Sequence, residues 1–218
     1  MPGKISKFAR TLKILAHGLS IALASFFLLA LAPTDPFGEA GGRRDQIHEA
    51  DAATIKIYSF LSRKGSFDHD SAWSISEAIL EESKKQSLDP LLILAVIEVE
   101  SRFRPTAVSA RGARGLMQIR PDVAAALADA ADIENWAGKN SLDDPVINIR
   151  LGIFYLSQLK QSFKDLKLAL TAYNLGPTAL KSRMEEQGPI PFDYARKVLS
   201  IHRIYKNQHS QMQKSMQA

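Results

Sequence analysis

Apolar residues recur at helical spacing through most of the chain, and no stretch alternates convincingly at the period of two that marks a half-buried strand. Ala50 to Leu61 reads as a helix with Ile55, Ile57, Tyr58 and Leu61 on its apolar side, although the pattern gives it no role in the fold. Ile75, Ala78, Ile79 and Leu80 mark a second helix ending near Ser87. Asp89-Pro90 then reads as a helix start, with the aspartate as cap and the proline at the first helical position, where a missing N–H costs nothing. That helix runs to about Ser101 and is apolar almost all round, which predicts a central position. Arg120-Pro121-Asp122 opens a helix through Ala131, and Asp144-Pro145 opens one that buries Ile149, Ile153, Leu156 and Leu159. Leu166 to Tyr173 is stopped by Gly176-Pro177, and Pro177 to Glu186 and Phe192 to Tyr205 follow. The pattern predicts an all-α fold with a single globular domain over 71–206, preceded by a linker and extension over 33–70 and followed by a polar, frayed tail over 207–218.

The central helix carries the most informative residue. Leu91 to Val99 is almost wholly apolar, yet Glu100 follows at its end, and a glycine-punctuated polar loop comes directly after. Carboxylates avoid such surroundings unless they are paired or used. Burial raises a carboxyl pKa and keeps the group protonated, which suits a general acid near neutral pH. Glu98 lies on the same helix but points to nearly the opposite side, so the two cannot flank one substrate bond. A two-carboxylate glycosidase needs its pair roughly 5–10 Å apart, and Glu100 has no obvious local partner for that.

Charge and composition bear on the first residues most. Lys4, Lys7, Arg10 and Lys13 precede an apolar run, Ile14 to Ala32, interrupted only by His17, Gly18, Ser20 and Ser25. A basic segment followed by an apolar one is an export signal. Ala30-Leu31-Ala32 has the small-x-small form of a cleavage site, whereas Pro33 is a poor residue after it, and the run is close to the lower length for a membrane-spanning helix. Residues 1–32 are therefore a cleaved signal peptide or an uncleaved anchor that tethers the protein through residues 14–32; both place the body in the periplasm. Pro33 to Arg44, with two prolines and three glycines, reads as a linker. The net charge of +5 falls to +1 beyond residue 32, where 24 basic residues face 23 acidic ones. The body is thus near neutral, which leaves little for a nucleic-acid partner. The absence of cysteine excludes disulfides, thiolate nucleophiles and a lipidated N-terminal cysteine, and the five histidines are scattered without metal-ligand spacing.

Three blocks carry a resemblance. Glu100-Ser101, Phe103, Pro105, Ala107, Ser109, Gly112-Ala113, Gly115-Leu116-Met117-Gln118 and Pro121 form the first. Asp144-Pro145, Asn148-Ile149, Gly152 and Tyr155-Leu156 form the second, and Ala172-Tyr173-Asn174 with Gly176-Pro177 the third. In order and spacing they resemble the soluble lytic murein transglycosylases, over Ile75 to Lys206, about 60% of the chain. The resemblance implies a lysozyme-like domain of the goose-lysozyme type. It also implies an enzyme acting on peptidoglycan glycan strands, cleaving the bond between N-acetylmuramic acid and N-acetylglucosamine to leave a 1,6-anhydromuramyl end, with no metal or cofactor. Glu100 would protonate the leaving oxygen and then accept the proton of the muramyl 6-hydroxyl. That route is intramolecular and needs no second carboxylate, in keeping with a lone Glu100.

The resemblance also implies substrate-binding roles for Ser109, Gln118, Tyr173 and Asn174. The residues alone leave Tyr173 open between a pocket wall and a core tyrosine with its hydroxyl satisfied locally, and they read Met117 and Tyr155 as packing. The chain departs from the family in Arg120, where a methionine is usual, in Leu175, where a small residue is usual, and near Pro191-Phe192-Asp193-Tyr194, where Tyr194 aligns but a glutamate does not. Asp193 is the substitute for any support that glutamate provides. Two other functions stay open: a hydrolytic lysozyme with Asp143 or Asp144 as second acid, and a non-catalytic wall-binding or assembly module.

Overall fold

Four helices of the protein start at an aspartate whose side chain satisfies one of their first free N–H groups. In a computed structural model the described residues are 52–217 except 66 and 135; the expected export segment over 1–32 and the linker after it lie outside them. Among the described residues there are eight α-helices and no strand longer than a single bridge. They are α1 Ala52–Lys64, α2 His69–Lys85, α3 Pro90–Glu100, α4 Pro121–Leu127, α5 Pro145–Phe163, α6 Leu166–Leu175, α7 Pro177–Glu185 and α8 Asp193–Gln217, with a 3₁₀ turn at Lys139–Asp143. Asp68, Asp89, Asp144 and Asp165 cap α2, α3, α5 and α6, accepting N–H bonds from Ser71, Leu91, Val146 and Leu168 at 2.7–2.9 Å.

α3 is the hub. Leu92 to Ile97 are all buried, so the helix has no solvent face over its central turns. α2 and α8 pack on it, and α5, α6 and α1 complete the surrounding layer. Asp89 does two jobs: Oδ1 caps α3, while Oδ2 lies 2.8 Å from His202 Nε2 and ties α8 to the start of α3. A partly buried polar relay links α2 to α5, with Gln86 donating to Glu82 at 2.8 Å and accepting from Ser157 at 2.8 Å.

Three expectations are corrected. α4 ends at Leu127, and turns follow through Asp132, whose left-handed φ of 54° turns the chain off the helical path. The last helix, expected to end at Tyr205, continues to Gln217; the Lys, Gln and Met residues there are good helix formers without being core formers. The helix Ala52–Lys64, placed by the sequence in an extension, buries Ile57 and Leu61 in the same core as α3 and α5.

Candidate active site

Glu100 is the last residue of α3, and the chain turns sharply after it. Arg102 and Phe103 both take left-handed backbone angles, φ 53° and 60°, unusual for residues with a Cβ. The buried Phe103 ring, 5.8 Å from that of Phe60, holds this reversal in place. The loop 107–119 then folds back beside Glu100. Arg114 and Ile119 exchange two backbone hydrogen bonds at 3.0 Å, and Gly115 N–H bonds to Ala107 O at 2.9 Å.

Asn148, wholly buried on α5, fastens this loop to the core. Its Oδ1 accepts from Met117 N–H at 2.8 Å, and its Nδ2 donates to Arg114 O and Leu142 O at 2.9 and 3.1 Å. Gly115 (φ 78°) must be glycine, since a Cβ there would lie 2.1 Å from Asn148 Nδ2. Gly152 on α5 leaves room for Met117, whose Sδ would stand 2.4 Å from an added Cβ. The far end of the loop is held by Arg114, bidentate to Asp143 at 2.9 and 2.6 Å.

One cavity of about 420 Å³ lies over this loop, and Glu100, Ser109, Gln118, Tyr173 and Asn174 all line it. Gln118 Nε2 donates to Ala107 O and Gly115 O at 2.9 and 3.0 Å, bracing the loop from the cavity side. Ser109 Oγ accepts from Ala113 N–H at 3.0 Å. The Tyr173 hydroxyl donates to Met117 O at 2.8 Å, so this side chain is both cavity wall and clamp on the loop, joining the two readings that the residues left open. Asn174 is exposed at the rim. Tyr155, expected in the core, stands on the cavity wall with its ring 5.3 Å from that of Tyr173.

The electrostatics centre on Glu100. Burial pushes its carboxyl up to about 7, against a smaller opposing effect of the Tyr194 hydrogen bond and of the Lys197 charge. The Tyr194 hydroxyl donates to Glu100 Oε1 at 2.5 Å. Burial and the neighbouring Glu100 raise Tyr194 well above the usual tyrosine range, so it remains a donor at any physiological pH. Asp193 does not take this role. It is largely exposed and pairs with Arg196. The alignment of Tyr194 was the available signal; the contact spans 94 positions and has no local signature.

The other acids are engaged elsewhere. Asp143 holds Arg114 and Asp144 caps α5, and neither lines the cavity. Asp122, which the sequence did not single out, does line it, but Arg120 grips it with two hydrogen bonds of 2.9 and 3.0 Å and holds its carboxyl below the usual range. Arg120 is thereby committed within the protein. Among the described residues no group of acids, histidines or cysteines is arranged to hold a metal.

Residues 77–192, more than half of the chain, match the family described as Transglycosylase SLT domain. The chain belongs to this family. The chain shares 32% identity with membrane-bound lytic murein transglycosylase E of Buchnera aphidicola, over 61% of its own length and 65% of that protein. Its identity with membrane-bound lytic murein transglycosylase C of Photorhabdus laumondii is 38%, over 45% of this chain and 30% of that one. An inactive glutamate-to-glutamine mutant of the lytic transglycosylase Slt from Pseudomonas aeruginosa superposes with a TM-score of 0.55 and 28% identity, covering 70% of this chain and 28% of that one. The 70 kDa soluble lytic transglycosylase of Escherichia coli shares the fold, with a TM-score of 0.57 over 65% of this chain and 26% of its own. The chain thus spans less than two thirds of the length of these relatives.

Proposed function

We propose that the protein is a peptidoglycan lytic transglycosylase that cleaves the β-1,4 bond between N-acetylmuramic acid and N-acetylglucosamine through the single acid/base Glu100. The observation that carries the reading is a half-buried carboxyl, raised to about 7 by desolvation, in a cavity whose other carboxylate, Asp122, is tied to Arg120. Membership of the SLT family and the names of the relatives, lytic murein transglycosylases, support the substrate and the reaction class. The inactive glutamate-to-glutamine mutant of the Pseudomonas relative supports dependence on a glutamate.

In the proposed reaction, protonated Glu100 gives its proton to the glycosidic oxygen as the bond from that oxygen to the muramyl anomeric carbon breaks. The substrate N-acetyl group shares the positive charge at that carbon, as in substrate-assisted glycosidases. The muramyl 6-hydroxyl attacks the carbon, and its proton passes to the Glu100 carboxylate, restoring the acid. No water enters and no second carboxylate is used. Tyr194 steadies the carboxylate between the two transfers. Ser109, Gln118, Tyr173 and Asn174 are the substrate-binding residues of this reading.

Mass spectrometry of muropeptides released by the protein tests the chemistry. Anhydromuramyl ends, one water lighter than reducing ends, are expected; reducing muramic acid ends would replace this reading by hydrolysis, and the absence of glycan cleavage would leave a wall-binding module. We further propose a periplasmic location, with residues 1–32 as signal peptide or as anchor. Among the described residues no helix is long and apolar enough to cross a membrane. Protease accessibility after cell fractionation tests the location: a full-length cytosolic chain would end both the export reading and the choice of substrate.

A further inference from the structure

Two arginines line the cavity, and they differ in kind. Arg120 has its guanidinium engaged by Asp122. Arg111 is exposed and makes no ion pair or side-chain hydrogen bond with any described residue. Its position is nevertheless built. Gly112 N–H bonds to Ser109 O at 2.9 Å, Ser109 N–H to Ala113 O at 2.9 Å, and Ala113 N–H to Ser109 Oγ at 3.0 Å. Three hydrogen bonds within five residues make a braced turn with Arg111 near its tip. The same turn brings Ser109 and Ala113 to the cavity that holds Glu100. A guanidinium with its planar donors unspent, displayed on a stiff turn at a groove edge, is suited to bidentate capture of a carboxylate.

Resting on the reading of the groove as a peptidoglycan site, we infer that Arg111 is a specificity residue that binds a free carboxylate of the peptide stem carried by the muramyl sugar. The sugars supply no charge in the neutral part of the strand, whereas the stem does. With Asp122 closed off by Arg120, Arg111 is the uncommitted charge among the lining residues once Glu100 is protonated. The contact is made equally before and during bond breaking, so it sets affinity and not turnover. Because it is solvent-exposed, it is screened by salt.

Binding and cleavage are measured separately on two ligands: glycan strands with native stems, and the same strands with stem carboxylates converted to carboxamides by carbodiimide and ammonia. Binding uses the full chain in detergent with Glu100→Gln, so that the strands stay intact. With Arg111 present, native strands are expected to bind about 1.5- to 5-fold more tightly than amidated ones, the range for an exposed ion pair. Glu100→Gln with Arg111→Gln should bind both equally and with an unchanged melting temperature; Arg111→Lys should keep part of the preference. In the Glu100 protein, Arg111→Gln should raise KM on native strands by the same factor and leave kcat alone. Equal binding of the two ligands by the Arg111 protein, or a preference that survives Arg111→Gln, overturns the inference. Failure to form anhydromuramyl ends would instead overturn the proposed reaction, and the binding comparison would still decide the role of Arg111.

Discussion

A single carboxyl at the end of an apolar helix must be costly to ionise, and that cost is the source of its chemistry. Raising Glu100 from its ordinary 4.5 to about 7 corresponds to about 3 kcal/mol between its protonation states. The sign follows from linkage: between these two values the unfolded chain has lost the proton while the folded protein keeps it, so stability from this group is full below about pH 4.5 and falls as pH rises toward 7. Glu100→Gln removes the charge and the proton together. It should lose at least about 10²–10⁴-fold in glycan cleavage, yet raise stability by up to about 3 kcal/mol at pH 8 and hardly change it at pH 4. Chemical denaturation at the two pH values checks this, and equal stability of the two proteins at pH 8 would show that the carboxyl is not desolvated. Tyr194→Phe probes the same balance from the other side. The hydroxyl favours the carboxylate form, so its loss should raise the Glu100 pKa further. The alkaline limb of kcat/KM, set by loss of the acid form, should therefore move to higher pH while the maximal rate falls. A limb that stays in place would separate Tyr194 from the acid.

At the level of elements, the loop 107–119 sinks Leu116, Met117 and Ile119 into the core, and Asn148 pairs the backbone that goes in with them. Three loop or turn groups, Met117 N–H, Arg114 O and Leu142 O, end on that one amide, the first and last in buried surroundings. Asn148→Ala leaves Met117 N–H and Leu142 O unpaired at about 1–3 kcal/mol for each buried group, with the losses not additive, while Arg114 O keeps the N–H of Ile119. The expected result is a loss of about 2–5 kcal/mol in urea unfolding, together with a large loss of activity at temperatures where the fold survives. A variant that keeps full stability would show that the loop is held otherwise. Local chemistry explains what could be read from the sequence at this scale. Asp89-Pro90 and Asp144-Pro145 announce their helices because capping and the proline ring act within a turn of the chain. The consecutive left-handed residues Arg102 and Phe103 have no such announcement, because their conformation is imposed by the burial of Phe103 and not by any intrinsic preference. The clamp of Tyr173 on Met117 and the bond from Tyr194 to Glu100 link positions 56 and 94 apart, beyond anything periodicity reports. Family resemblance brought Glu100, Ser109, Gln118, Tyr173 and Asn174 forward as a set, but Asp193, offered in place of a glutamate this chain lacks, pairs with Arg196, and it is Tyr194 that meets Glu100. Arg111 and Asp122, exposed residues with ordinary spacing, carried no signal at all.

At the level of the whole molecule, the site depends on helices outside the segment that matches the family. That segment ends at residue 192, two positions before Tyr194, and begins at residue 77, after α1. α8 carries Tyr194 to Glu100, and α8 is held in turn by the Asp89–His202 contact and by α1, where the ring of Phe60 meets the buried Tyr205 edge-on at 4.6 Å. Leu61, one residue on from Phe60, is wholly buried in the core shared by α3 and α5. The folding unit therefore includes α1, although no residue of α1 lines the cavity. Leu61→Ala should cost about 2–5 kcal/mol, the usual range for emptying a packed core site. Because α1 braces α8, the loss should appear in urea unfolding of the whole domain as one transition with an unchanged slope, and activity should fall as the unfolded fraction rises. A cost below about 1 kcal/mol, or a separate early transition confined to α1, would make that helix an appendage and leave α8 to be held by α3 and α6 alone.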